Sequence, residues 1–420
     1  LAVSGTGRVE ITEAMDADLT FEVTDTSLDP YARALQPSLP VLTNAVATGR
    51  IHVRGPLMDP SRLTINGDVD RLDLSLFDYR LRNAAPIRLT LAGSDLLVES
   101  MKLTGDGTAL DLTGRIDLDS RQLTGKATGT ASLEILQGFA PDIRASGQAA
   151  LAADISGTVS NPIVTGTMTL DGGRIRHRSF PHALEALTGV VKFDTRGASL
   201  DGVKARLGGG DVTVSGRVDV EGYAPTGVGI TMTGRNMRLR FPEGMRSLVD
   251  ATLTLTGTPE ALVLGGDVLV RSALYTARFD AGAGVIGLTG GGGGGVPQVA
   301  AAATLPLRYD IRISAPSTLR VENNVARIAA TAELQLAGTF DRPTILGRAQ
   351  IDRGQVTFEG RRYVVTRGAI EFNDPTRIRP FVDVEAETRV RVPGQTYRVT
   401  ITAAGTFDRL TPTFSADPPL

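Results

Sequence analysis

Leu110-Asp-Leu-Thr-Gly-Arg-Ile-Asp-Leu118 decides the fold class. Leu110, Leu112, Gly114, Ile116 and Leu118 share one parity, and Asp111, Thr113, Arg115 and Asp117 share the other. Successive side chains on a strand point to opposite faces, so the segment is a strand with one apolar and one wet side. The pattern returns as Val212, Val214, Gly216, Val218 and Val220 against Asp211, Thr213, Ser215, Arg217 and Asp219. Leu63, Ile65 and Val69 begin another such strand. Beyond Arg71 its apolar set becomes Leu72, Leu74 and Leu76, a parity change that implies a bulge or bend near Arg71. Helical periodicity is scarce, and the best short helix candidate is Pro181 to Leu187.

Landmarks repeat at a fixed offset. Gly55 and Pro60 recur 102 residues later as Gly157 and Pro162, and Gly114-Arg-Ile-Asp-Leu118 recurs as Gly216-Arg-Val-Asp-Val220. Further units open at Gly257-Thr-Pro259, at Gly338-Thr-Phe-Asp-Arg-Pro343 and at Gly405-Thr-Phe-Asp-Arg409. Stacked units, each with an apolar face, predict an elongated, repetitive β-structure. The expected divisions are 1–156, 157–337 and 338–420. The Gly-rich stretch at about 281–303, with Gly290 to Gly295 in a row, is expected to be a flexible loop inside one architecture, because it offers little surface to bury.

Composition excludes several function classes. A net charge of −2 gives no electrostatic footprint for nucleic acid. Cysteine is absent, so there is no disulfide or thiolate chemistry. No apolar run reaches the roughly 18 residues of a membrane-spanning helix. Leu1-Ala-Val-Ser-Gly5 reads as the middle of a strand region, which places any export signal or anchor upstream. All but Lys102, Lys126, Lys192 and Lys204 of the 44 basic residues are arginine. Such a surface suits phosphate groups, although a GC-rich genome produces the same bias.

Catalytic constellations are not evident. His177 and His182 are five apart, a spacing that suits neither a helix face nor a strand face for ligation, and His52 is remote from both. Neither HExxH nor GxSxG occurs, and the glycine tract lacks the Lys-Ser/Thr of a phosphate loop. Asp68 with Asp70, and Asp117 with Asp119, put two carboxylates on one strand face, as a metal or glycosidic site would need. They occupy the polar side of alternating strands, as do Asp383, Glu385 and Glu387 opposite Val382, Val384 and Ala386, and are expected to face water.

The last third resembles a known family. Gly338-Thr-Phe-Asp-Arg-Pro343, Gly347, and Gln350-Ile-Asp-Arg-Gly-Gln-Val-Thr-Phe-Glu-Gly360 are followed by Tyr363-Val-Val-Thr-Arg-Gly-Ala-Ile-Glu-Phe-Asn-Asp-Pro375 and Pro380-Phe-Val-Asp-Val-Glu-Ala-Glu-Thr388. This cadence is similar to the C-terminal domain of the TamB family, in the AsmA-like group. Leu187-Thr-Gly-Val-Val-Lys-Phe193 and Gly208-Gly-Gly-Asp-Val-Thr-Val-Ser-Gly216 resemble the repeats upstream in that family. The glycine tract departs from the pattern, and family members continue past Leu420, so the chain reads as truncated at its C-terminus.

The resemblance implies an all-β, elongated, curved sheet (a β-taco or open β-solenoid-like groove) with an apolar inner face. It implies no enzyme and no cofactor. It also implies a periplasm-spanning scaffold in a Gram-negative-type envelope, anchored in the inner membrane upstream. The implied roles are phospholipid transport between the two membranes and assembly of outer-membrane proteins with an Omp85/TamA-type barrel. Implied partners are a phospholipid or other acyl-chain ligand, that barrel, and outer-membrane protein clients. The expected groove lining is Val356, Phe358, Ile370, Phe372, Val382 and Val384, same-parity positions within three strands. The competing reading is a structural β-solenoid of the adhesin or autotransporter-passenger kind. It should show polar stacked ladders and a short repeat of roughly 20 residues, which this sequence lacks. A β-helical carbohydrate-active enzyme would need convergent carboxylates, and none stand out.

Overall fold

The structure is a computed structural model and describes residues 2–30, 43–76, 79–139, 142–178, 180–278, 306–406 and 409–419. The expected loop at 281–303 lies outside the described residues. Strand accounts for 79% and helix for 3%, as the period-two alternation requires. The chain divides into two compact units, residues 1–205 with 215–226, and residues 206–214 with 227–420.

The strands through the first unit are β1 (Ala2–Val9), β2 (Asp16–Ser27), β3 (Thr43–Pro56), β4 (Thr64–Leu76), β5 (Tyr79–Asn83), β6 (Ile87–Ala92), β7 (Asp95–Gly105), β8 (Thr108–Asp117), β9 (Leu123–Ser132), β10 (Ile143–Gly157), β11 (Pro162–His177) and β12 (Leu184–Asp194). β13 (Gly197–Leu207), β14 (Gly210–Glu221) and β15 (Ala224–Leu239) contribute residues to both units. The second unit continues with β16 (Met245–Thr258), β17 (Ala261–Tyr275), β18 (Leu307–Glu322), β19 (Ala326–Gly338), β20 (Pro343–Phe358), β21 (Arg361–Phe372), β22 (Pro380–Val392), β23 (Gln395–Thr406) and β24 (Thr411–Asp417). Most sequence neighbours pair antiparallel. β17 and β18 instead run parallel, with Leu262 opposite Leu307 and Tyr275 opposite Val321, a reversal of the hairpin rule that the alternation did not foretell.

Bulges interrupt many strands near their middles. Thr48 pairs with Arg71 and Gly49 with Val69, so Asp70 is the extra residue, where the parity change near Arg71 required one. Three bulges, and the positive-φ Gly202 of β13, share one device. The backbone N–H of a positive-φ residue donates to a side-chain oxygen on the next strand: Asp25 to Thr48 Oγ1 (3.0 Å), Gly202 to Ser215 Oγ (3.1 Å), Asn236 to Asp250 Oδ1 (2.7 Å) and Ser317 to Thr331 Oγ1 (3.0 Å). A bulge takes an N–H out of the ladder, and these side chains satisfy it.

The repeat landmarks are hairpin turns. In the β10–β11 turn, Thr158 and Asn161 exchange backbone hydrogen bonds, N–H to O 3.2 Å and 3.1 Å; Thr339 and Arg342 do the same in the β19–β20 turn, at 3.2 Å and 3.1 Å. The preceding Gly157 and Gly338 have φ of +91° and +87°, and a Cβ there would lie 2.7 Å from the Asn161 carbonyl oxygen and 2.3 Å from that of Arg342. Only glycine fits such a turn. The second repeated element carries the same outer pair twice: Arg115 Nε donates to Asp95 at 2.8 Å, and Arg217 Nη1 to Asp194 at 2.8 Å. The Arg217 guanidinium, followed by the Arg196 backbone N–H, holds the Asp194 carboxyl well below the usual carboxylate range.

The expected helix at Pro181–Leu187 does not form. β12 begins at Leu184, with Leu184 opposite Ile175 and Leu187 opposite Gly173. Ala186 has φ of +53°, and this irregularity shifts the apolar spacing away from period two. The helical pieces include a 3₁₀ turn at Leu133–Ile135 that runs into one α-turn at Leu136–Phe139. Ser132 caps it by accepting from the Glu134 N–H at 3.2 Å, and Leu133 is buried. In the first unit Leu72, Tyr79, Leu81, Ile87 and Leu103 pack together, and Ile135 lies against them.

Candidate functional site

β20 to β23 bring the six expected lining residues onto one face. Directly opposed residues of an antiparallel pair point to the same side. Ile370 opposes Ala349 on one side and Val382 on the other. Phe372 follows Ile370 by two; Val384 opposes Gly368. Bulges at Asp352 and Thr366 shift the parity of β20 and β21, so Ile351 and Val356 share this face, and Val356 opposes Tyr363. Val365 then opposes Ala386, which opposes Ile401. Phe372 and Val382 are buried, while Val356, Phe358, Ile370 and Val384 are half-buried.

The alternation alone did not single out the centre of this face. Tyr363, Ala386 and Ile401 form its buried nucleus, with Val356, Phe358, Val365 and Val399 packed against them. Val399-Thr-Ile401 and Tyr363-Val-Val365 do alternate, so the signal was present. The remaining member, Phe414 of β24, opposes Ile401 and is 55% exposed. Its ring centroid lies 5.8 Å from that of Phe358, with the rings inclined at 50°. Four strand spacings separate β20 from β24, which in a flat sheet amounts to about 19 Å. The sheet therefore curls here toward its apolar side.

The other face is ionic. Arg348 lies 3.8 Å from Glu371 and Arg367 3.7 Å from Asp383. Glu385 accepts from Thr366 Oγ1 at 3.2 Å, and Glu387 lies 3.9 Å from Arg398. Asp383, Glu385 and Glu387 thus sit on the outer face, half-buried among partners rather than fully in water. Glu359 follows the end of β20 and is exposed.

No other sequence candidate assembles a chemical site. Asp68 and Asp70 are exposed. Asp117 closes a turn, accepting the N–H groups of Asp119 (3.0 Å) and Ser120 (2.9 Å), and this bonding, the Ser120 N–H first, lowers its pKa. His52 lies 2.6 Å from Asp18 on the surface, His177 ends β11, and the His182 ring is 5.6 Å from that of Phe180. Among the described residues no group of three His, Cys, Asp or Glu is placed to hold a metal ion.

A curled sheet with an apolar inner side is what the family resemblance led one to expect. The family model of the TamB C-terminal domain fits residues 201–420. The chain belongs to the TamB family. A search of curated proteins found no match. TamB proteins belong to the bacterial envelope, serve transport and scaffolding there, and work with an outer-membrane partner. The TamB match contains every residue of the curled apolar face.

Proposed function

We propose that the curled face of the second unit receives phospholipid acyl chains, within a non-enzymatic TamB scaffold that carries phospholipid between the inner and outer membranes. The observation behind this reading is the Phe358–Phe414 contact. It folds an apolar face inward while leaving Phe414 exposed and Val356, Phe358 and Val384 half-buried. A closed core would bury these side chains; a conduit leaves them for its cargo. Each methylene buried there contributes about 0.8 kcal/mol, so an acyl chain in contact over ten carbons gains roughly 8 kcal/mol before its own ordering is subtracted. The ionic outer face keeps that side in water. Membership in TamB supports the rest of the reading: a periplasmic location, an inner-membrane anchor upstream, an Omp85/TamA-type barrel as partner, and outer-membrane protein clients. Among the described residues no helix is long and apolar enough to cross a membrane.

Native mass spectrometry of the purified chain, with lipid extraction, tests the proposal. Phospholipid should accompany the wild-type chain and be lost from Phe358→Arg and Val384→Asp variants that keep the all-β circular dichroism spectrum. A lipid-free wild type, or variants that retain lipid in full, would overturn it.

A further inference from the structure

The outer face of the second unit is polarised along its strands. The bulges at Ser317, Asp352 and Thr366 divide it. On one side the arginines are matched with acids: Arg312 with Asp267 at 2.9 Å, Arg348 with Glu371 at 3.8 Å and Arg367 with Asp383 at 3.7 Å. On the other side, toward the β18–β19, β20–β21 and β22–β23 hairpins, lie Arg320, Arg327, Arg353, Arg362, Arg389 and Arg391, all exposed. None of the six is within 4.0 Å of a carboxylate of the described residues. The acids nearby are Asp352 beside Arg353, Glu359 in the β20–β21 turn, Glu322 opposite Arg327, and Glu387 and Asp417, which flank Arg398. The positive charges outnumber them.

Two details show that folding alone does not account for this. Arg389 directly opposes Arg398 across the β22–β23 pair, and like charges directly opposed on a sheet are destabilising. Arg327 and Arg362, with Asn323, Gln355 and Thr357, line a polar depression of about 250 Å³. Gln355 opposes Arg327, and Thr357 opposes Arg362. Two guanidinium groups beside an amide and a hydroxyl form a donor set for a tetrahedral oxyanion. On the reverse side, the same strand ends carry Val356, Phe358 and Tyr363 of the apolar face.

We infer that this hairpin end of the second unit docks on the phosphate headgroups of an anionic phospholipid bilayer, with its arginines at headgroup level and the apolar face opening beside them. The choice of a lipid as phosphate bearer rests on the proposed function. Each basic residue brought to an anionic leaflet strengthens binding by roughly fivefold, so three together amount to on the order of a hundredfold.

Flotation of the 420-residue chain with phosphatidylcholine vesicles, with and without phosphatidylglycerol, reads this directly. One triple variant removes unpaired charges (Arg327→Gln, Arg362→Gln, Arg389→Gln). A control removes the same charge beyond the bulges (Arg312→Gln, Arg348→Gln, Arg367→Gln). The wild type should float only with phosphatidylglycerol and release in salt. The first variant should bind on the order of a hundredfold more weakly without losing thermal stability, and the control should bind within a few-fold of the wild type. Equal loss in both variants, full binding by the first, or indifference to phosphatidylglycerol would overturn the inference. Lipid extraction with the Phe358→Arg variant is read separately. Lipid that depends on Phe358, beside flotation that ignores the arginines, would sink this inference and leave the acyl-chain reading standing.

Discussion

Phe358 and Phe414 meet ring to ring, 5.8 Å between centroids, although their strands are four apart in the sheet. The contact makes the curl a measurable quantity. The chain has no cysteine, so Phe358→Cys with Phe414→Cys introduces the sole thiols. A short bis-maleimide should join them within one chain in high yield. In a flat sheet the two positions would be about 19 Å apart or more, and only the singly modified product would form. A double-mutant cycle to alanine should give a coupling of about 0.5–1.5 kcal/mol.

The glycine turns make a second prediction. Gly157→Ala and Gly338→Ala each place a methyl group against a carbonyl oxygen at a φ that L-residues rarely adopt. Each should lower stability by roughly 1–3 kcal/mol in denaturant unfolding. Gly229→Ala is the control, because a Cβ there meets nothing within 4 Å and φ is not in the left-handed region. Equal effects at all three positions would contradict the assignment of the repeat to a strained turn.

Acid should release a bulge clamp. The Asn236 backbone N–H, and then Arg271, hold the Asp250 carboxyl below the usual carboxylate range. Because the folded pKa is depressed, the clamp's contribution is complete above the unfolded value of about 3.9 and fades as pH falls through the folded one. Asp250→Ala should therefore melt below the wild type at pH 7, and the gap should narrow below about pH 4. A gap that is constant from neutral to acid pH would show that the carboxylate charge is not what holds the bulge.

Much of this was legible in single residues. Leu110 to Leu118 gave a strand because alternation is a local property, and the flip from Val69 to Leu72 gave the Asp70 bulge because an extra residue must change parity. The six lining residues came from the same rule, and they share a face because the bulges at Asp352 and Thr366 realign three strands. Phe414 was not legible as a partner of Phe358. Curl accumulates over five strands, and nothing local in Thr411–Asp417 records it. The parallel β17–β18 pair was hidden for a similar reason, since each strand alternates alike whichever way its neighbour runs. Ala186 shows the opposite failure, where one positive-φ residue disturbed the period and suggested a helix.

Photo-crosslinking in cells shows whether phospholipid occupies the curled apolar face. A photoreactive residue at Phe358 or Val384 lies on the curled apolar face, and one at Glu371 or Glu385 lies on the outer face away from the hairpin end. With the full-length protein in its own envelope, the first pair should yield phospholipid adducts and the second pair none. Adducts at neither apolar position, in protein that is folded and abundant, would mean that the face is an ordinary core and that acyl chains do not travel along it.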